Sequence, residues 1–227
     1  MNGVLKAALL FALLLLLVGV LIILPAYLFG VSSTLQAQVA AAGYIVFFSN
    51  AVWRGTQHGG FVASKDDKQV QHTGGRLAAA FRIAGLLGVH WLAPYTVAEV
   101  LSTTTIDFGA PAMLGVALML IAFGVNFSAM RTLGRFWDKL VIKENHRVVR
   151  DGIYSVIRHP IYTSYIMLFV GYCFLYESWL SLVLLAAVSV VWFGSRIKIE
   201  ENMLVEKFGD EYRDYMKRTK RLFPFVY

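Results

Sequence analysis

Residues 7–30 read AALLFALLLLLVGVLIILPAYLFG, a run without one charged side chain. At about 1.5 Å per residue, a helix of this length crosses a hydrocarbon core of about 30 Å. A cleaved signal peptide has a shorter apolar region, roughly 7–15 residues, and the Ala-rich stretch from Ala37 to Ala42 is a poor cleavage site. The run therefore reads as a retained membrane helix. Five more apolar segments follow, at 35–53, 77–102, 109–130, 161–176 and 178–195. The third holds Arg82, His90 and Glu99. The last two form a hairpin broken at Tyr176-Glu177-Ser178, each arm slightly short for a full crossing. The expected fold class is all-α integral membrane, with about six transmembrane helices and a C-terminal cytoplasmic helical region.

Composition agrees. Of the 227 residues 58% are hydrophobic and only 15% charged, where a soluble domain carries roughly a quarter charged residues. The single cysteine, Cys173, lies in an apolar run and reads as a packing residue, so neither an intrachain disulfide nor a Cys-rich metal site is expected. His58 and His72, in the polar loop 55–75, lack the companions a metal site needs. No metal is expected.

The net charge of +7 raises the question of nucleic acid, but the distribution answers it. With six crossings, every Lys and Arg except Arg82 falls at the N-terminus, in the loops after the second and fourth segments, or in the tail. Arg82 lies near the same end of the third segment. The opposite loops hold only Asp107 and Glu177. This asymmetry is the positive-inside pattern, with both termini cytoplasmic and the basic loops against anionic head groups. The expected localisation is a bacterial inner membrane or the endoplasmic reticulum, with the lipid bilayer as partner and no nucleic acid.

Two polar clusters interrupt the C-terminal half. The first runs His146-Arg147-Val148-Val149-Arg150-Asp151-Gly152-Ile153-Tyr154 and then Arg158-His159-Pro160-Ile161-Tyr162. Gly152 permits a turn with positive φ, Pro160 suits a first helical turn, and His159 is placed to cap it or to offer a ring nitrogen. Arg158 reads equally well as an interfacial snorkelling residue. The second cluster is Arg196-Ile197-Lys198-Ile199-Glu200-Glu201. Arg196 and Glu200 share a helix face, as an ordinary i,i+4 ion pair or as a costly charged pair marking a site at a membrane boundary. Further on, Gly209 reads as a helix end and Asp210 as the cap of an amphipathic surface helix bearing Tyr212, Tyr215 and Met216. The hairpin returns both clusters to one face, open to a polar cofactor from the cytoplasm and a lipid-like molecule from the bilayer.

In order and spacing these elements resemble the isoprenylcysteine carboxyl methyltransferase family and its phospholipid methyltransferase relatives. The shared pattern comprises His146, Val148-Val149, Gly152-Ile153-Tyr154, Arg158-His159-Pro160-Ile161-Tyr162, Arg196, Glu200-Glu201, Phe208-Gly209, Tyr212, Tyr215 and Pro224. The resemblance implies S-adenosylmethionine as cofactor, bound by His146, Arg147, Val148, Val149, Tyr154, Arg158, His159, Pro160, Ile161, Tyr162, Glu200 and Glu201. It implies catalytic roles for Arg196, which would orient the substrate, and Glu200. The acceptor would be lipid-like or a small hydrophobic molecule presenting a thiol, carboxylate or amine. Lys139 stands where prenylcysteine enzymes often carry Gln. The resemblance covers about the last eighty residues. It divides the chain into N-terminal helices, 1–130, on the substrate side and a methyltransferase region, 131–227, built on the hairpin 161–195.

Two other readings stay open. Nicotinamide-dependent sterol reductases resemble the same region but read Arg-His-x-Asn-Tyr, where this chain has Ile161 in the Asn position. A non-catalytic membrane protein would tolerate exchange of Arg196 and Glu200.

Overall fold

The computed structural model describes residues 3–58, 75–101, 108–134 and 147–224. His72, Lys139 and His146 lie outside the described residues. The described chain is a helical bundle: α1 (Gly3–Val18), a π-helical turn (Gly19–Ile23), α2 (Leu24–Leu28), α3 (Leu35–His58), α4 (Arg76–Leu101), α5 (Ala110–Leu133), α6 (Pro160–Leu175), α7 (Trp179–Phe208) and α8 (Asp210–Arg218). Five spans are long and apolar enough to cross a membrane, Ala7–Leu28, Leu35–Trp53, Arg76–Glu99, Ala110–Leu133 and Trp179–Phe208. The expected sixth is the shorter α6.

Helices α1 and α2 form one span, Ala7–Leu28, interrupted because Pro25 has no N–H for the carbonyl four residues back. The backbone widens there into the π turn, in which Leu24 N–H reaches Gly19 O. Leu14, Val18 and Leu21 are buried at helical spacing, while Leu9, Leu13 and Leu16 face outward. An apolar outer face is what a bilayer-embedded helix presents.

The closest helix pairing is α5 with α6. A Cβ added to Gly115 would lie 2.6 Å from Gly171 O, and one added to Gly171 would lie 2.7 Å from Gly115 O. Backbone meets backbone, as small residues allow in membrane packing. We expect Gly171→Val to lower stability by about 1–3 kcal/mol or more, because no flexible side chain can give way. Denaturation in detergent measures this, and an unchanged midpoint would show that the two helices do not pack this tightly.

Helix α4 is fixed by a polar node. Pro94 lies within it and withholds an N–H from the His90 carbonyl; Tyr172 on α6 donates its hydroxyl there instead, at 2.8 Å. The His90 ring, fully buried, lies 2.7 Å from Leu86 O through Nδ1 and 2.7 Å from the Tyr44 hydroxyl through Nε2. Since the carbonyl only accepts, the proton sits on Nδ1, and Nε2 accepts from Tyr44. Three helices thus share one satisfied polar group.

The hairpin turns at Tyr176 to Ser178, where Ser178 Oγ caps α7 by accepting from Ser181 N–H. Its second arm is not short. Helix α7 has 30 residues, about 45 Å, and carries Arg196, Glu200 and Glu201 within one unbroken rod. Gly209 ends it, and α8 begins at Asp210. The Asp210 side chain does not cap α8; the cap position is Gly209, and the carboxylate takes a bond from Arg213 at 2.7 Å.

Candidate functional site

The approach to α6 is folded by a left-handed residue and a tail. Gly152 has φ +55°, with Thr132 beside it, and opens a single 3-10 turn, Gly152–Ser155. The following residues pair with the C-terminal tail. Arg158 N–H donates to Lys220 O (2.8 Å), Lys220 N–H to Val156 O (3.0 Å) and His159 N–H to Arg221 O (3.0 Å). The Thr163 hydroxyl donates to Leu222 O at 2.6 Å. From beneath, the Tyr215 hydroxyl donates to Tyr154 O at 2.6 Å. Burial pushes the Tyr215 hydroxyl up to about 12, against the pull of the Arg158 charge. Burial, with the Glu200 charge adding to it, lifts Tyr154 further still. Both rings are therefore neutral packing groups at any working pH.

Pro160 opens α6 at its first position, and His159 precedes it without a side-chain cap. The His159 ring turns instead toward α7, with Nε2 3.3 Å from Glu201 Oε1 and Nδ1 3.9 Å from Glu200 Oε1. It stacks on the Tyr162 ring at 5.6 Å.

The two adjacent glutamates of α7 have different surroundings. Glu201 is buried, with its side chain 4% exposed. Arg158 Nε reaches its Oε1 at 2.9 Å, and Arg221 Nε reaches its Oε2 at 3.1 Å. The Arg158 side chain is itself only 7% exposed. It also donates to Met216 O at 3.1 Å and to Thr219 O. It does not snorkel outward, because the tail supplies these acceptors. Glu201 thus ties α6, α7 and the tail together. Glu200 is about one-third exposed and accepts from the Tyr162 hydroxyl at 2.7 Å. That hydroxyl in turn accepts from Arg196 Nε at 2.9 Å. Arg196 and Glu200 share a helix face, as their spacing requires, and Tyr162 from α6 bridges them.

Of the remaining sequence candidates, Val149 and Tyr154 are buried with Ala129, and Ile161 packs against them. Val148 is half-buried and Arg147 is exposed near Asp151. His146 cannot be placed among them, as it lies outside the described residues. Arg150 pairs with Glu211 on α8. Among the described residues no group of three His, Cys, Asp or Glu side chains is arranged to hold a metal.

Sequence reading missed Arg221 and Thr219, which close the cluster around Glu201 and Arg158. No local spacing marks them in the basic tail; only the pairing of 156–158 with 220 brings them in.

The donor set has the chemistry a sulfonium amino-acid cofactor asks for. A partly open carboxylate (Glu200) suits a cation, and a guanidinium donor (Arg196) suits a carboxylate.

Residues 111–211 match the family model of phospholipid methyltransferases. The chain is 30% identical over 115 residues to protein-S-isoprenylcysteine O-methyltransferase B of Arabidopsis thaliana, covering 49% of this chain and 58% of that protein. It is also 30% identical over 111 residues to the cobalt-zinc-cadmium resistance protein CzcN of Cupriavidus metallidurans, covering 48% of this chain and 51% of that protein. The chain therefore spans little more than half the length of these relatives. Among solved structures, a eukaryotic intramembrane Ras methyltransferase, isoprenylcysteine carboxyl methyltransferase, aligns with TM-score 0.62 at 19% identity, over 92% of this chain and 74% of that one. At that coverage the likeness in fold takes in the N-terminal helices as well, and the chain is an all-α integral membrane protein.

Proposed function

We propose, for a chain whose residues 111–211 carry the phospholipid methyltransferase pattern, that it is a membrane methyltransferase. It would move the methyl group of S-adenosylmethionine to a lipid-like or small hydrophobic acceptor. The observation that carries this reading is the Arg196–Tyr162–Glu200 bridge where α6 meets α7. The Glu200 charge also acts on Tyr154, which is buried with Val149. When bound, the cofactor supplies a methyl carbon on a positively charged sulfur, which leaves as a neutral thioether.

The chain's own part is placement. Glu200 would face the cofactor's positive charge, and the stretches His146 to Val149 and His159 to Tyr162, with Tyr154, would hold the rest of it. Arg196 spends one N–H on Tyr162, and the rest of its fork suits an anionic acceptor group such as a carboxylate. Holding the acceptor in line with the methyl is the main catalytic contribution, and exclusion of water protects the transfer. Glu201 and Arg158 act as supports that position His159 and the tail. Residues 131–227 form the catalytic region and 1–130 the substrate side. The basic end, with both termini, faces the cytoplasm of a bacterial cell or of a cell with an endoplasmic reticulum.

Calorimetric titration of the protein in nanodiscs with S-adenosylmethionine tests this reading. We expect binding, weakened about tenfold or more by Glu200→Ala, the loss of one charge-assisted contact. Isotopically labelled S-adenosylmethionine with host membrane extract then identifies the methylated acceptor. Absence of binding would refute the reading, and tighter binding of NADPH would favour a reductase.

A further inference from the structure

A chain of polar side chains, half-buried at Asn50 and fully buried beyond it, plays no part in the bridge described above. Asn50 on α3 donates through Nδ2 to Asn126 Oδ1 on α5 at 3.2 Å. Asn126 Nδ2 donates to Ser164 Oγ on α6 at 2.9 Å, and Ser164 donates to Ile161 O at 2.6 Å. Asn126 and Ser164 are both fully buried. Every bond has a donor and an acceptor in the right sense, and the chain ends on the carbonyl of a residue in the first turn of α6.

A serine in a membrane helix satisfies itself by bonding its own backbone, as Ser164 does. It does not need Asn126. Polar side chains at this depth are expensive, and leucine would fill the same space. The amide pair is therefore surplus to packing. What it adds is direction: Asn126 fixes the Ser164 hydroxyl, and through it the turn that carries His159 and Tyr162. One helical turn away on α5, Ala129 packs on Val149 and Tyr154. The same face of α5 thus sets both sides of the candidate site. Asn50 extends this control to α3, which lies outside the matched segment 111–211.

We infer that Asn126 is a positioning residue. Through Ser164 it sets the first turn of α6 against Arg196 and Glu200, with Asn50 linking that setting to the N-terminal helices. The inference rests on the methyltransferase reading only for its binding measurement.

The test compares wild type, Asn126→Leu, Ser164→Ala and the double variant, full length in nanodiscs. Three quantities are read: hydrogen exchange of residues 159–166, S-adenosylmethionine affinity, and thermal midpoint. We expect Asn126→Leu to raise exchange in 159–166 on the order of tenfold. Affinity should fall roughly tenfold, as when a supporting contact is lost, with the midpoint little changed. The double variant should lose no more than the worse single one. Unchanged exchange in 159–166, multiplied losses in the double variant, or a fall in midpoint with exchange raised along the whole chain would each overturn the inference. Should Asn126→Leu fail to fold, Asn50→Leu at the half-buried end is read the same way. If wild type binds no S-adenosylmethionine, the proposed function falls, while the exchange data still decide the positioning role.

Discussion

Replacing Glu201 by Gln is expected to destabilise the folded protein by about 3–5 kcal/mol, the usual cost of removing one partner from a buried ionic cluster. Glu201 is the only carboxylate bonded to Arg158 in the described residues, and Arg158 is almost wholly enclosed. Its remaining acceptors, Met216 O and Thr219 O, are neutral. Gln keeps the shape and one acceptor oxygen but removes the negative charge that Arg158 and Arg221 share. The tail's pairing with 156–158 would lose the ionic anchor beside it. Arg221→Gln is the control. Its side chain is 35% exposed, so its loss should cost about 1 kcal/mol or less. Thermal and denaturant unfolding in detergent measures both. A loss of about 1 kcal/mol or less for Glu201→Gln would show that the cluster is solvated and contributes little.

The second large effect is expected at Arg196. Arg196→Leu should reduce methyl transfer by roughly 10²–10³-fold, the range for removing a preorganised charged donor from a reaction site. Arg196→Lys should recover little, since an ammonium cannot both donate to Tyr162 and present a fork to an anionic group. The fold should tolerate both changes, because Arg196 is half-buried and bonds the Tyr162 hydroxyl, not a buried carboxylate. Turnover of labelled S-adenosylmethionine, with cofactor affinity measured in parallel, separates the outcomes. Full rescue by Lys would mean that only charge matters there, and loss of cofactor binding alone would move Arg196 to the cofactor side of the site.

Much of the scaffold was legible in the sequence. A long unbroken apolar run satisfies its backbone in a bilayer as a helix, so the runs that begin at residues 7, 35, 77 and 109 became α1–α2, α3, α4 and α5. Pro160 at a helix start and Gly152 at positive φ followed from ring geometry and the missing Cβ. The reach of α7 was not legible. The apolar pattern stops near Ser195, but helix propensity and the packing of Ile197, Glu201 and Met203 carry the helix to Phe208.

Local chemistry determined that Arg196 and Glu200 share a face, since 3.6 residues per turn leaves no alternative. It could not determine what stands between them. Glu200 and Glu201 are neighbours in sequence with the same side chain, and nothing local distinguishes them. Their directions differ by about 100° around the helix, which turns one toward Tyr162 and the other into a pocket closed by Arg158, His159 and Arg221. That pocket exists only because the tail returns to pair beside 156–158. The sequence alone determined a membrane-embedded helical bundle. Tertiary structure alone decided which glutamate is enclosed by cations and which stays open, because burial and countercharge are properties of what other segments bring to a residue.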